Sequence, residues 1–93
     1  MGFGEAYLVA GDALSALSRH EEAIDAYERF LETNSSSVEG WVKLARAHDR
    51  AKEKDAAKRA LDEAFATWGQ IPGYRRRQEL AWYVRAHLTR LLP

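Results

Sequence analysis

The stretch EEAIDAYERFLETNSSSVEGWVKLARAH, residues 21–48, reads as a helix, a loop and a second helix. The helix formers Ala, Leu, Glu, Lys and Arg dominate on either side of the loop. TNSSS at 33–37 is the loop signal between them. Ser36 with Glu39 fits a capping box for the second helix, and Ser18 with Glu21 fits one for the first. Asn34 is placed to take a left-handed turn conformation.

Working outward, proline stands only at 72 and 93, and glycine is sparse between 12 and 68. No stretch alternates apolar and polar residues long enough for a strand. KEK at 52–54 is a weaker break and WGQIPG at 68–73 a strong one. The pattern predicts five helices, roughly 4–17, 19–33, 37–50, 54–67 and 74–91.

Sliding the chain by 34 residues lays Tyr7 on Trp41, Gly11 on Ala45, Leu14 on His48, Ala23 on Ala57, Ala26 on Ala60 and Tyr27 on Leu61. Size is matched more than identity, with Ala10 on Leu44 as the exception. Small residues at 10, 11, 23, 26, 45, 57 and 60 let helices approach closely. Large ones at 7, 14, 27, 41, 44 and 61 fill the gaps. An amphipathic helix pair cannot bury its face alone, so neighbouring pairs must stack.

Tyr7-x2-Ala10-Gly11-x2-Leu14 followed by Ala23-x3-Tyr27 resembles the tetratricopeptide repeat. So does Trp41-x2-Leu44-Ala45-x2-His48 followed by Ala57-x3-Leu61. The departures are Ser35 and Gly69 where the family usually has proline, and Phe30 where it has a small residue; Phe30 therefore needs a pocket. The resemblance implies an all-α, right-handed α-solenoid: repeat one over 4–37, repeat two over 38–71, and a C-terminal capping helix over 74–91. One domain is expected from 93 residues.

The last helix offers two registers. A strict 34-residue repeat puts Gln78 and Glu79 at core positions. Shifting by two residues puts Leu80, Ala81 and Val84 there instead, continued by Leu88 and Leu91. The shifted register is the expectation. It sets Trp82 nearly opposite the core, exposed on the face that continues the groove, where an unburied tryptophan suggests an interface.

The resemblance further implies a concave groove lined by the first helix of each pair, binding a peptide or partner protein. Its candidate residues are Leu8 and Asp12 from the first helix, Val42, Lys43, Arg46 and Arg50 from the third, and Gln78, Trp82 and Arg85 from the last. Lys43, Arg46 and Arg50 form an i, i+3, i+7 stripe suited to an acidic ligand. The clamp by which some members grip a chaperone's C-terminal carboxylate is not intact, since Leu8 and Asp12 cannot donate as lysine and asparagine do.

Other classes are narrowed by composition. There is no cysteine, which excludes disulfides and thiolate chemistry. No apolar run is long enough for a membrane span. His20, His48 and His87 have no metal-ligand spacing, and His48 reads as a hydrogen-bonded interior residue. No catalytic constellation stands out, so neither an enzyme nor a cofactor is expected. Net charge is zero, but residues 1–37 carry net −5 and residues 72–93 net +4. That asymmetry suggests a second role, self-association by end-to-end stacking, or a place as one segment of a longer scaffold. Arg75, Arg76 and Arg77 point in three directions on a helix, which disfavours nucleic acid. A cytoplasmic setting is the expectation.

Overall fold

The computed structural model describes residues 3–91. Among them are five helices and no strand: α1 (Phe3–Ala16), α2 (His20–Thr33), α3 (Val38–Arg50), α4 (Lys54–Gln70) and α5 (Gly73–Leu91). α1 packs on α2 and α3 on α4, α2 joins the two pairs, and α5 rests on both α3 and α4. The molecule measures 35 × 35 × 18 Å, a slab two helices thick. The chain is thus a helical-repeat solenoid of two pairs with a fifth helix over one end.

The turns inside the two pairs are the same structure. Ser18 (φ 60°) and Lys52 (φ 68°), 34 residues apart, both adopt the left-handed conformation. Around the first, Ser18 N–H donates to the Ser15 carbonyl at 3.0 Å and Arg19 N–H to the Leu14 carbonyl at 2.9 Å. Around the second, Lys52 N–H donates to Asp49 at 3.0 Å and Glu53 N–H to His48 at 2.9 Å. Each is a Schellman ending that satisfies helix carbonyls otherwise left without partners.

This corrects the expected capping at Ser18: the residue closes α1 and does not open α2, whose N-cap, Arg19, makes no side-chain cap bond. The cap of α3 moves by one residue. Ser37, not Ser36, accepts from Gly40 N–H at 3.0 Å. Asn34 is not left-handed (φ −135°), and its side-chain amide instead donates to the Phe30 carbonyl at 3.1 Å. An asparagine that can bond the last turn with its side chain does not need the left-handed backbone.

The core lies where α2, α3 and α4 meet. Ala23, Val38, Val42 and Ala64 are fully buried, with Tyr27, Phe30, Leu31, Leu44 and Leu61 nearly so. Each of the large apolar side chains contributes about 1.5–3 kcal/mol through its burial. Phe30 finds its pocket over Gly40, where a Cβ would stand 2.8 Å from the ring. Gly11 does the same for Tyr27, whose ring lies against the α1 backbone. Tyr7, expected to fill a gap, is 40% exposed, and Ala10 is exposed beside it. Both line an open cleft between α1 and α2, where Arg29 lies over the Tyr7 ring.

The last helix does not take the shifted register; Glu79 turns inward as the strict repeat has it, while Gln78 stays exposed. Leu80 and Val84 are each 49% exposed, Leu88 55% and Leu91 80%, and Ala81 is exposed too. The inward face is Arg75, Glu79, Trp82, Tyr83 and Ala86, of which Ala86 is fully buried. Tyr83 stacks on Trp68 of α4 with centroids 4.1 Å apart and planes 12° off parallel. Phe65 meets Tyr83 edge-on at 6.1 Å and His87 at 4.7 Å. The polar residue that made this register unattractive has a use. Glu79 accepts from Glu39 N–H at 3.2 Å, placing a carboxylate at the N-terminus of α3, where the helix dipole favours it.

Candidate functional site

Helix periodicity brings one face each of α1, α3 and α5 to a shared concavity. Asp12 and Ser15 come from α1, Lys43, Arg46 and Arg50 from α3, and Trp82 from α5. With Ala16 and the Tyr27 edge they enclose about 280 Å³. A second cleft of about 570 Å³ adjoins it between α3, α4 and the C-terminal half of α5. Arg46 and Arg50 border both.

The floor is a chain of polar contacts linking the elements. Tyr27 O–H donates to Asp12 Oδ1 at 2.7 Å, tying α2 to α1. Lys43 Nζ donates to Asp12 Oδ2 at 2.8 Å and pairs with Glu39 at 2.8 Å, tying α1 to α3. Burial, then the bond to Asp12, pushes the Tyr27 hydroxyl up to about 12. Burial works against the Lys43 charge, but Asp12 and Glu39 outweigh it and hold the ammonium above its ordinary value.

Trp82 sits between two cations. Lys43 Nζ lies 5.1 Å from the ring centroid and the Arg85 guanidinium 4.4 Å. The ring is partly buried and packs against the core. This corrects the sequence expectation of an exposed tryptophan with no packing role: Trp82 is both a wedge in the α3–α5 contact and an edge of the groove.

Arg46 is the least compensated charge in the concavity. It is half-buried, and among the described residues neither it, Arg50 nor Arg85 makes a salt bridge. Burial, followed by repulsion from Arg85 and Arg50, holds its guanidinium below the ordinary arginine value. Such a group gains from any carboxylate that reaches it.

Other candidates fall differently. Val42 is fully buried and cannot line a groove. Leu8 is partly buried against the core, and Gln78 is exposed one turn before Trp82. The lysine–arginine stripe splits: Lys43 is neutralised locally, while Arg46 and Arg50 are not, because Asp49 is taken by Lys54 at 2.8 Å. His48 bonds Glu53 at 2.8 Å, as an interior histidine should. Among the described residues no cluster of three His, Asp or Glu side chains is placed to hold a metal, and no helix is long and apolar enough to cross a membrane. The sequence reading missed Glu79 as the cap of α3. Its signal was the unshifted 34-residue repeat.

A tetratricopeptide repeat family model matches residues 4–47, which span α1, α2 and most of α3. No curated protein and no solved structure matches the chain. That match, set beside two helix pairs that repeat turn for turn, supports a tetratricopeptide repeat family, whose repeats generally mediate protein–protein interaction.

Proposed function

We propose that the chain is a non-catalytic interaction module whose concave face binds an acidic peptide segment of a partner protein. The observation that carries this is Arg46: a half-buried guanidinium beside Arg50 and Arg85, with no carboxylate among the described residues to neutralise it. Arginine pairs bidentately with carboxylates, and partial desolvation strengthens the pairing. Trp82, held by Lys43 and Arg85, supplies a rigid apolar edge beside these charges. The adjoining cleft supports a ligand longer than one or two residues, since it continues past Arg46 and Arg50 toward Thr89 and Arg90.

The test uses a fluorescein-labelled glutamate-rich decapeptide, titrated with protein and read by anisotropy, beside a lysine-rich control. Binding of the acidic peptide alone is expected, weakening as salt rises. Arg46→Glu with Arg50→Glu, shown by circular dichroism to stay folded, should lower affinity at least tenfold. Equal binding by the double variant would remove the groove reading.

A further inference from the structure

The face of α5 turned away from the core is apolar and unpartnered. Leu80, Val84, Leu88 and Leu91 lie on it, each about half exposed or more, and Arg77 heads the same stripe. Their spacing is 77, 80, 84, 88, 91, intervals of three, four, four and three. That order reads the same from either end, with Val84 at the centre. An antiparallel copy of α5 laid along this stripe sets Val84 against Val84, Leu80 against Leu88, and Arg77 against Leu91. This self-complementary register is what a two-fold axis through Val84 demands.

Charge agrees with the register. The two Arg77 side chains fall at opposite ends, separated by about 20 Å at 1.5 Å per residue. That distance exceeds the screening length of ordinary buffers. Each Arg77 instead lies beside Leu91 of the partner helix, toward the negative end of its dipole. The other four arginines of α5 are engaged elsewhere: Arg75 on Ser36, Arg76 over Trp68, Arg85 over Trp82 and Arg90 over Phe65. Of the five arginines of α5, Arg77 is the one with no such contact among the described residues. The positive end is therefore poorly arranged for head-to-tail stacking on the acidic first pair.

Among the described residues no element covers this face. A third repeat turn would fall 34 residues after Lys52, at Ala86. There the chain is fully buried mid-helix, and α5 runs on to Leu91.

We infer that a second copy of this chain docks on α5, the two helices packing antiparallel about Val84 to form a symmetric dimer. One helix face falls short of the roughly 800 Å² per partner of a standard interface, so the dimer is weak, dissociating on the order of 100 µM. The concave groove lies on the other side of α5 and stays open in both copies.

Sedimentation equilibrium of the full chain between about 10 µM and 1 mM tests this, since that range brackets the expected dissociation constant. The weight-average mass should rise from one chain toward two and stop there. Val84→Glu puts two carboxylates on the axis and should abolish association without loss of helicity. Leu88→Glu serves as the independent second variant. Arg77→Glu should weaken the dimer several-fold and Arg77→Lys should not. A monomer throughout, growth beyond two chains, or association that survives both glutamate variants would overturn the inference. Because groove binding by the acidic peptide is measured separately, failure of one leaves the other standing.

Discussion

The α2–α3 junction and the seat of α5 are both contacts between successive helical units, yet they are built from different materials. At the first, Phe30, Leu31, Val38 and Val42 are at most 6% exposed, and Gly40 opens the space that Phe30 fills. At the second, only Ala86 of a 19-residue helix is buried. The rest is a tryptophan–tyrosine stack, a carboxylate on a helix N-terminus and arginines over rings. The interior of the array is close-packed and dry, and its end is wet and held by geometry. The end should therefore open before the interior does.

The most severe test of that contrast is Phe30→Ala. Emptying a buried ring site over Gly40 should cost about 3–5 kcal/mol of global stability in chemical denaturation. A loss below about 1 kcal/mol would mean the junction is not the tight contact it looks. Tyr83→Ala acts on the other side of the comparison. It removes the Trp68 stack, worth about 0.5–1.5 kcal/mol beyond area. Amide exchange should quicken in α5 while α2 and α3 keep their protection. Uniform quickening would show that the five helices open as one unit.

Ser18→Gly and Lys52→Gly address the turns instead. Each residue bears the cost of a left-handed backbone that glycine does not, so each change should stabilise by up to about 1 kcal/mol. If interior and end are separate, this gain should slow opening of the pairs and leave α5 exchange unchanged.

Glu79→Gln is the smallest effect and the most specific. Burial, partly offset by the Glu39 N–H, holds the Glu79 carboxyl above its ordinary value, with the Glu39 carboxylate also raising it and Arg75 lowering it. The folded state thus binds this proton more tightly than the unfolded one. The associated stability is present in full below the ordinary glutamate range and is lost as pH rises through the raised value. Glutamine can still accept from Glu39 N–H without a charge to desolvate. The variant should match or slightly exceed the parent at pH 7, and the parent should gain on it as pH falls toward 4. A parent that loses ground on acidification would mean Glu79 is stabilised as an anion.

Much of the interior was legible in the sequence because repetition fixes both size and position. Ala23, Ala45 and Ala60 are buried where small residues were expected, and α1 to α5 begin and end within a few residues of the predicted spans. The seat of α5 was not legible, for a physical reason. An apolar stripe has the same period whether it faces inward or outward, so Leu80, Val84, Leu88 and Leu91 look like a core until the neighbour is placed. Register decided it, and the polar Glu79 argued against the face that turns inward because its partner, the N-terminus of α3, lies 40 residues away. The groove divides similarly. The positions of Lys43, Arg46 and Arg50 follow from helical spacing. That Lys43 is already neutralised by Asp12 and Arg46 is not depends on which helices meet.

The two Schellman turns have a consequence for how such a chain can grow. At 18 and 52 neither residue is glycine and neither matches the other, yet dihedral angle and hydrogen bonds coincide across the 34-residue interval. The geometry is thus set by the backbone and its packing, and the joint is interchangeable. A second copy of residues 19–52 inserted after Lys52 would meet the same joint at both of its ends. The slab would lengthen by one helix pair in phase, and a second Arg46–Arg50 step would be added to the groove.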